Sequence, residues 1–315
     1  MSAIVQSIYK FIFKITEILF PSIAGKWAVD LFFTPFRFDR PHREKAFMEK
    51  AKSKNIKFSP DINKIYDLDW AKDRLLNKKF NDVTPKTFYR LYEMGEGPLV
   101  LLVHGWSGRA SQMGSIAQTL VDYGFKVISF DAFAHGESPG KQTTVLEFVE
   151  IINNINRQFG PFYAIVGHSL GGIAAGRAIV KGLKTEKLVT IGSPTTMQFI
   201  LEAFCKALNA SDKTLQYIKN FVERYAKREA DDFSLSYLGK YLEIKGLIIH
   251  DKNDRETDYD QSLYLDESWQ KGRHIQTTGL GHVRILRDKS VLKMIADFIR
   301  DDNKEIDDQK KAASA

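Results

Sequence analysis

Short apolar segments alternate with helical patterns over most of this chain. Apolar or alternating runs predict strands at residues 88–92, 99–103, 126–130, 162–166, 188–191, 244–249 and 273–277. Between several of them, apolar residues recur every three or four positions, which predicts helices around 112–123, 145–159 and 283–299. Alternating strands and helices indicate an α/β fold with a mostly parallel central sheet and helices on both faces.

The alternation of strands and helices is interrupted once, and different segments precede and follow it. Residues 195–241 carry aromatic-rich helical patterns and no clear strand, so we expect a small helical lid between core segments 81–194 and 242–300. Residues 1–80 are predicted to form a mainly helical N-terminal extension. The charged, alanine-rich residues 301–315 are predicted to be a frayed tail.

Residues 1–36 are amphipathic. A single helical face would carry Ile4, Ile8, Phe11, Ile12, Ile15 and Leu19. Lys10, Lys14 and Glu17 interrupt the apolar runs too early for a transmembrane span, which needs about 20 mostly apolar residues. Two interpretations stay open: a helix that packs on the domain or pairs two subunits, and an interfacial helix that lies on a membrane.

Composition narrows the class of protein. The 315 residues are 43% hydrophobic, which is enough for one large domain with a substantial core. The net charge of +7 would suit acidic surfaces or membranes, but we find no zinc spacing and no nucleic-acid-binding motif, so neither a metal nor a nucleic-acid partner is expected. Cys205 is the only cysteine, which excludes an internal disulfide and favours a reducing, cytoplasmic location, with peripheral membrane attachment as the alternative.

A candidate nucleophile follows the 162–166 segment. Gly167-His-Ser-Leu-Gly171 fits the G-x-S-x-G pattern, in which a serine occupies a sharp turn between a strand and a helix. The turn would present Ser169 at the carboxyl edge of the sheet, beside a helix N-terminus that favours developing negative charge. The pentapeptide alone is equally compatible with an ordinary strand-to-helix turn. Whether Ser169 is a nucleophile therefore depends on finding a base and an acid elsewhere in the sequence.

A serine hydroxyl needs a base, and the base needs an acid that orients it. Four carboxylates follow the 244–249 segment: Asp251, Asp254, Asp258 and Asp260. Asp254 is our first choice, because a loop of a few residues lets its carboxylate turn back toward a histidine; Asp251, nearer the strand end, is the second. His282 is preferred as the base over His274, which falls inside the last predicted strand.

The oxyanion of an acyl-transfer intermediate also has to be bound, usually by two backbone N–H groups. We assign one to Leu170, which follows the nucleophile, and the other to Trp106, in the loop after the 99–103 strand. The neighbouring Gly105 and Gly108 would let the backbone of this loop approach a ligand closely.

Five motifs occur together in a fixed order. They are His104-Gly-Trp-Ser-Gly108, Asp131-Ala-Phe-Ala-His-Gly-Glu-Ser138, Gly167-His-Ser-Leu-Gly-Gly172, His250-Asp-Lys-Asn-Asp254 and Gly281-His282. Over residues 87–300 the chain thereby resembles the α/β-hydrolase superfamily, in its serine esterase/lipase-like branch with a helical lid.

The resemblance implies roles for these residues: nucleophile Ser169, acid Asp254, base His282, and oxyanion donors Trp106 and Leu170. His104, Gly105 and His168 are expected at the substrate-binding pocket, where the histidines support backbone geometry or line the mouth. His135 and Ser138 are expected to fix a turn.

The sequence therefore predicts a serine hydrolase that cleaves a small-molecule carboxylic ester or thioester through an acyl-serine intermediate, without a cofactor. Three alternatives stay open. The same site could run lyase or acyl-transfer chemistry, or the chain could be a non-catalytic binding protein. It could also be a lipase or lysophospholipase that works at a membrane surface through residues 1–36. The oligomeric state is left open.

Overall fold

A computed structural model describes residues 3–67 and 87–300, which build one eight-stranded sheet. The strands are β1 Lys52–Lys57, β2 Phe88–Met94, β3 Leu99–Val103, β4 Lys126–Asp131, β5 Ala164–His168, β6 Lys187–Ile191, β7 Lys245–Asp251 and β8 Gly272–Thr277. Their order across the sheet is β1-β2-β4-β3-β5-β6-β7-β8. Only the β1–β2 and β2–β4 pairs are antiparallel; the other neighbours run parallel.

Helices cover the sheet and extend it at one end. They are α1 Ala3–Leu19, α2 Pro21–Phe32, α3 Lys45–Lys50, α4 Ile62–Ile65, α5 Gly114–Asp122, α6 Val145–Phe159, α7 Leu170–Val180, α8 Met197–Leu208, α9 Asp212–Ala226, α10 Leu235–Gly239, α11 Asp260–Ser268, α12 Gly281–Arg284 and α13 Lys289–Arg300. Short 3₁₀ turns lie at residues 42–44, 110–113, 230–233 and 285–287.

Strand β3 illustrates why the sheet is covered on both faces. Its side chains alternate between two cores, because successive residues of a strand point to opposite faces. Leu101 and Val103 belong to the core that contains Phe148 of α6, whereas Val100 and Leu102 belong to the core that contains Ile295 of α13. All five positions of β3 are buried, as its uninterrupted apolar sequence predicts for a central parallel strand.

The predicted α/β architecture is confirmed, and each strand predicted from the sequence is present within two residues of its expected bounds. Strand β1 was not predicted. The helix expected at 283–299 is divided into α12, a 3₁₀ turn and α13. Residues 301–315 and part of the expected extension, 68–80, lie outside the described residues. The division into extension, core and lid stays a prediction.

The N-terminal helices pack on the segment that was predicted to be a lid. Helix α2 contacts α9, and Gly25 makes this approach possible because a Cβ there would lie 2.8 Å from the ring of Tyr217. Helix α1 is attached through the buried carboxylate of Glu17, which accepts hydrogen bonds from the Ser211 N–H and hydroxyl, both at 2.8 Å, and from the Thr214 hydroxyl at 2.6 Å. Glu17 therefore caps the start of α9 with negative charge.

Among the helices of residues 3–67 and 87–300, none combines the length and the apolar character that crossing a membrane requires. The cytoplasmic location expected from the sequence stays a prediction.

Candidate active site

Ser169 occupies a strained turn between β5 and α7. Its backbone has φ 53° and ψ −125°, a left-handed conformation that a serine rarely adopts. Its N–H donates a 2.9 Å hydrogen bond to the Ile191 carbonyl of the neighbouring strand β6. Gly171 allows the turn to close, because a Cβ at that position would lie 2.2 Å from the Val103 carbonyl oxygen. The sharp turn expected from the motif is present, with Ser169 at the carboxyl edge of the sheet.

Asp254 and His282 form a direct pair beside this turn. The His282 Nδ1 lies 2.7 Å from the Asp254 Oδ2, and both side chains are buried. The other carboxylate oxygen, Oδ1, accepts the N–H groups of Glu256 and Thr257 at 2.8 and 3.0 Å. Burial alone would raise the pKa of Asp254, but hydrogen bonds from His250 and His282 and the charge of His282 hold it well below its usual range. The acid is therefore ionised and aimed at one ring nitrogen of the histidine.

Asp251, the second choice from the sequence, occupies a different place. Its Oδ1 accepts the N–H groups of Asn253 and Gly281, and its Oδ2 accepts the Thr277 hydroxyl and the Leu280 N–H, all within 2.8 to 3.0 Å. This carboxylate thus fastens the loop that carries His282 without touching the imidazole.

The other candidates for the acid and the base, Asp258, Asp260 and His274, occupy other places. Asp258 lies on the loop before α11, Asp260 is the first residue of that helix, and both are exposed. His274 lies on β8, with its Nε2 3.0 Å from the Ser262 hydroxyl.

The 104–109 loop approaches Ser169 from the end of β3. A Cβ on Gly105 would lie 2.8 Å from the Ser169 Cβ, so only glycine lets the backbone come this close. Ser107 has a positive φ of 56°, and its N–H donates to the His135 Nε2 at 3.0 Å. Trp106 and Leu170 both line the cavity in front of Ser169. Leu170 is the first residue of α7, so its N–H has no acceptor within the helix.

The two histidines expected at the pocket have different places. His168 lines the cavity, and its Nε2–H donates to the His282 carbonyl at 3.0 Å, which ties the serine turn to the loop of the base. His104, also assigned to the substrate pocket, is fully buried behind the loop and is not among the residues that line the cavity, so of its two expected roles the geometry agrees with backbone support. Its Nδ1–H donates to the Gly105 carbonyl at 2.7 Å, and its Nε2 accepts the Ala132 N–H at 3.1 Å. His104 therefore shapes the loop rather than the pocket.

Burial keeps these supporting imidazoles neutral at neutral pH. It lowers the pKa of His104 to about 4. Burial, together with the charge of His282, lowers the pKa of His168 to about 3. In His135, burial and the neighbouring His104 lower the pKa well below its usual value. A proton taken up at this site is consequently not expected on these three residues.

A cavity of about 740 Å³ opens in front of Ser169. Its polar end holds Ser169, His282 and the 105–109 loop, with Glu256 and Arg43 nearby. Its other walls are mainly apolar and come from two separate parts of the chain. Helices α8 and α9 and the following turn supply Met197, Ile200, Phe204, Val222, Tyr225 and Phe233. The N-terminal segment supplies Phe32, Phe33, Phe38 and Tyr66.

The part played by the N-terminal segment was missed by the sequence reasoning. The Arg109 guanidinium, next to the 105–108 loop, pairs with Glu44 at 2.7 Å and donates to the Phe38 carbonyl at 2.6 Å. Glu44 also accepts the Ser111 hydroxyl at 2.6 Å, and both members of the ion pair are buried. A further bond of 2.9 Å joins the Phe36 N–H to the Ser107 hydroxyl. Residues 36–44 thus brace the loop that was assigned an oxyanion donor.

Comparisons with known proteins agree with the fold. The family model described as "Alpha/beta hydrolase family" matches residues 100–233. A Mycoplasma pneumoniae protein named as an esterase/lipase is 26% identical over 129 residues, which cover 39% of this chain and 47% of that protein. The chain thus spans about half the length of this curated relative.

Solved structures resemble a larger part of the chain. An esterase from Exiguobacterium antarcticum has a TM-score of 0.52 at 16% identity and covers 68% of this chain and 96% of its own. A protein from Acinetobacter baumannii AYE described as a lipase has a TM-score of 0.57 at 17% identity, with 84% and 98% covered. A monoacylglycerol lipase from Paleococcus ferrophilus has a TM-score of 0.52 at 21% identity, with 67% and 98% covered. At these identities the likeness is one of fold.

Proposed function

We propose that this chain, which belongs to the α/β-hydrolase superfamily and is similar to its esterases and lipases, is a serine hydrolase that cleaves a carboxylic ester or thioester through an acyl-serine intermediate. One observation carries the proposal. Ser169 stands in a strained turn on the same cavity as His282, whose Nδ1 lies 2.7 Å from the ionised Asp254. A candidate nucleophile and a candidate base thereby line one cavity, and the base has its orienting acid.

The mechanism follows from the tautomer that Asp254 selects. Because the carboxylate accepts a hydrogen bond from the His282 Nδ1–H, Nε2 is left as the basic nitrogen. Nε2 takes the hydroxyl proton as the Ser169 Oγ attacks the carbonyl carbon. It then gives that proton to the leaving alcohol or thiol, and the acyl group stays on Ser169. Water, deprotonated by the same nitrogen, then attacks the acyl-serine carbonyl, the bond between the acyl group and the Ser169 Oγ breaks, Nε2 returns the proton to Oγ, and the acid is released.

The negative charge of each tetrahedral intermediate needs donors that are already in place. We assign the Leu170 and Trp106 N–H groups to it, each worth about 3 kcal/mol of transition-state stabilisation. The Leu170 N–H lies at the start of α7, where the helix dipole adds a favourable field. The transient positive charge on His282 faces Asp254, and the adjacent His168 stays neutral because burial lowers its pKa to about 3.

The cavity favours a substrate with an apolar portion. Most of its walls away from Ser169 are aromatic or aliphatic side chains, so a hydrocarbon acyl or alcohol group would be removed from water on binding. The polar groups at the other end would face the ester or thioester itself. A small hydrophilic ester would leave most of the apolar wall uncovered and is expected to be a poorer substrate.

The proposal is tested with p-nitrophenyl esters from acetyl to long acyl chains and one acyl-CoA, each with the wild-type protein and Ser169→Ala. We expect turnover that is lost in the variant and a preference for acyl chains longer than acetyl. A folded wild-type protein that turns over none of these esters and takes up no fluorophosphonate probe at Ser169 would contradict the proposal and favour a non-catalytic binding protein. Products analysed with and without added alcohol separate hydrolysis from acyl transfer.

A further inference from the structure

The N-terminal helices expose an apolar surface. Its members are 41% to 69% exposed: Ile8, Phe11, Ile12, Ile15, Ile18, Leu19, Phe20 and Ile23. Those on α1 are spaced by three or four residues, so they form one stripe along the helix. Phe36 and Phe38, on the connector that follows α2, are 57% and 60% exposed. We call the eight residues from Ile8 to Ile23 the apolar face.

The apolar face is held in a fixed orientation by the opposite side of the same helix. Phe13 is fully buried, with its ring 5.4 Å from that of Trp27. The Trp27 indole N–H donates to the Tyr9 hydroxyl at 3.0 Å, and Glu17 caps α9. Turning α1 to bury the apolar face would break these contacts and leave the Glu17 carboxylate without its donors. The exposed stripe is therefore the outer side of a docked helix.

The chemistry of the apolar face fits a lipid surface better than a protein. It consists of isoleucine, leucine and phenylalanine, whereas protein interfaces draw their binding energy mainly from tryptophan, tyrosine and arginine. Charge also distinguishes the partners. Between residues 7 and 45 the exposed charged side chains are one anion, Asp39, and four cations, Lys10, Arg37, Arg43 and Lys45. The Arg37 guanidinium donates to backbone carbonyls of residues 134–140, which leaves Lys10, Arg43 and Lys45 for contact with phosphate groups. An apolar stripe beside exposed cations is the pattern of a helix that lies on an anionic membrane.

The apolar face is also connected to the cavity. Phe32, the last residue of α2, lines the cavity together with the next residue, Phe33. The exposed Phe38 lines it as well. The N-terminal segment that carries the apolar face thus also supplies part of the cavity wall, which includes Arg43. Docking of the apolar face would hold this part of the wall close to a lipid layer.

We propose that the apolar face docks on an anionic membrane surface, from which a lipid ester enters the cavity. The proposal deepens the proposed function, on which its substrate part rests, whereas the docking itself does not depend on catalysis. It predicts that residues 8–23 insert among lipid headgroups while the cations contact phosphate groups. An alternative occupant, a second copy of the chain, is an outcome of the test.

The test measures partition onto vesicles by flotation, using the full chain with Ser169→Ala so that no lipid is consumed. Vesicles of phosphatidylcholine with one third phosphatidylglycerol are compared with pure phosphatidylcholine. Phe11→Glu/Ile18→Glu places two charges on the apolar face, and Leu263→Glu, a 37% exposed position on α11, is the matched control. Lys10→Glu tests whether an exposed cation beside the apolar face contributes to binding.

We expect binding to the anionic vesicles that falls about tenfold or more in the double variant and is unchanged in Leu263→Glu. Lys10→Glu is expected to weaken it about fivefold or more. Equal binding by the double variant and the control, or no binding by the parent protein, would overturn the proposal. It would also be overturned by a dimer in sedimentation velocity that the double variant dissociates while the parent binds no vesicles.

Hydrolysis of p-nitrophenyl acetate, free in solution, separates this proposal from the proposed function. The double variant made in the active protein should keep wild-type turnover of that ester, because its substitutions lie outside the cavity. Vesicle binding by a folded protein that turns over none of the p-nitrophenyl esters and takes up no fluorophosphonate probe would leave the docking intact and refute the hydrolase. Esterase activity without vesicle binding would refute the docking and leave the hydrolase intact.

Discussion

Exchanging each of two neighbouring carboxylates for its amide tests which of them orients His282. In Asp254→Asn the amide oxygen is expected to stay where Oδ1 accepts the Glu256 and Thr257 N–H groups. The NH₂ group then occupies the Oδ2 position, 2.7 Å from the His282 Nδ1. Since an NH₂ can only donate there, Nδ1 must become the acceptor and the proton must move to Nε2. The histidine is then held in the tautomer that cannot take a proton from Ser169.

The expected cost is about 10⁴-fold in kcat, the size of the effect when the acid of a Ser–His–Asp triad loses control of the tautomer. That corresponds to about 5.5 kcal/mol of transition-state stabilisation. Thermal stability should change much less, because the hydrogen bonds that the group accepts from the Glu256 and Thr257 N–H groups are kept.

Asp251→Asn should lower stability more, and activity less, than Asp254→Asn does. Each of its oxygens accepts two donors. An amide NH₂ at the Oδ1 position would face two N–H groups, and at the Oδ2 position it would face the Leu280 N–H, because the Thr277 hydroxyl can rotate and accept. At least one accepted hydrogen bond is therefore lost, and at roughly 1.5–3 kcal/mol for a hydrogen bond to a charged group the free energy of unfolding should fall by at least that amount. Activity of the folded fraction should fall less than in Asp254→Asn, since the Asp254–His282 contact is not touched.

The assay combines kcat on a p-nitrophenyl ester, corrected by active-site titration, with urea unfolding of both variants. If Asp251→Asn lost about 10⁴-fold in kcat at unchanged stability while Asp254→Asn stayed active, the assignment of the acid would be refuted.

Three further predictions concern the groups around the site. Gly105→Ala should lower kcat by about 10²-fold, because its Cβ would lie 2.8 Å from the Ser169 Cβ and push the loop away together with the Trp106 N–H. A wild-type kcat would show that the close approach of this loop to Ser169 is not required for catalysis. Glu44→Gln should lower the free energy of unfolding by about 3–5 kcal/mol, since the buried Arg109 loses its counter-charge. A double-mutant cycle with Arg109→Met measures the coupling between the two side chains, and additive effects would contradict it. Burial alone would raise the pKa of Glu17, but hydrogen bonds from Lys14, Thr214 and Ser211 lower it to about 2, so Glu17→Gln should cost about 1–3 kcal/mol at neutral pH. That loss should vanish as the pH falls from about 4.5 to 2, because the wild-type carboxylate then becomes protonated and loses its advantage; a constant difference in urea unfolding across this range would oppose it.

The central strands and the serine turn were predictable because each carries a local signature. In β3 and β5 the burial of both faces imposes an uninterrupted apolar run, and the turn at Ser169 needs small residues that a sequence displays directly. Strand β1 lacks such a signature. Its sequence is Lys-Ser-Lys-Asn-Ile-Lys, in which Ile56 is the one buried position, since among the described strands β1 lies at the edge of the sheet and pairs with β2 alone. Exposed lysines are typical of an edge strand, and they remove the alternation that would identify it.

The choice between the two carboxylates shows where sequence reasoning ends. Asp251 and Asp254 both follow β7, and their order along the chain does not say which of them faces the histidine. The difference arises from the turn itself, where the Asp254 N–H donates to the Asp251 carbonyl at 3.0 Å and the Asp254 Oδ2 comes within 2.7 Å of the His282 Nδ1. The ion pair of Arg109 and Glu44 joins residues 65 positions apart, and a single basic and a single acidic residue form no pattern in the sequence.

The bracing of the 104–109 loop by residues 36–44 decides how the N-terminal segment should be probed. Deleting residues 1–36 would strip α1 and α2 from α9, remove Phe32 and Phe33 from the cavity and leave the donors at Ser211 and Thr214 without Glu17. A longer deletion would also leave the Arg109 charge buried without Glu44. Loss of activity in a truncated protein would then report on a damaged pocket as much as on lost membrane contact. Charge substitutions on the apolar face avoid this confusion, because the exposed side chains there make no contribution to the cavity while the buried side of α1 stays intact.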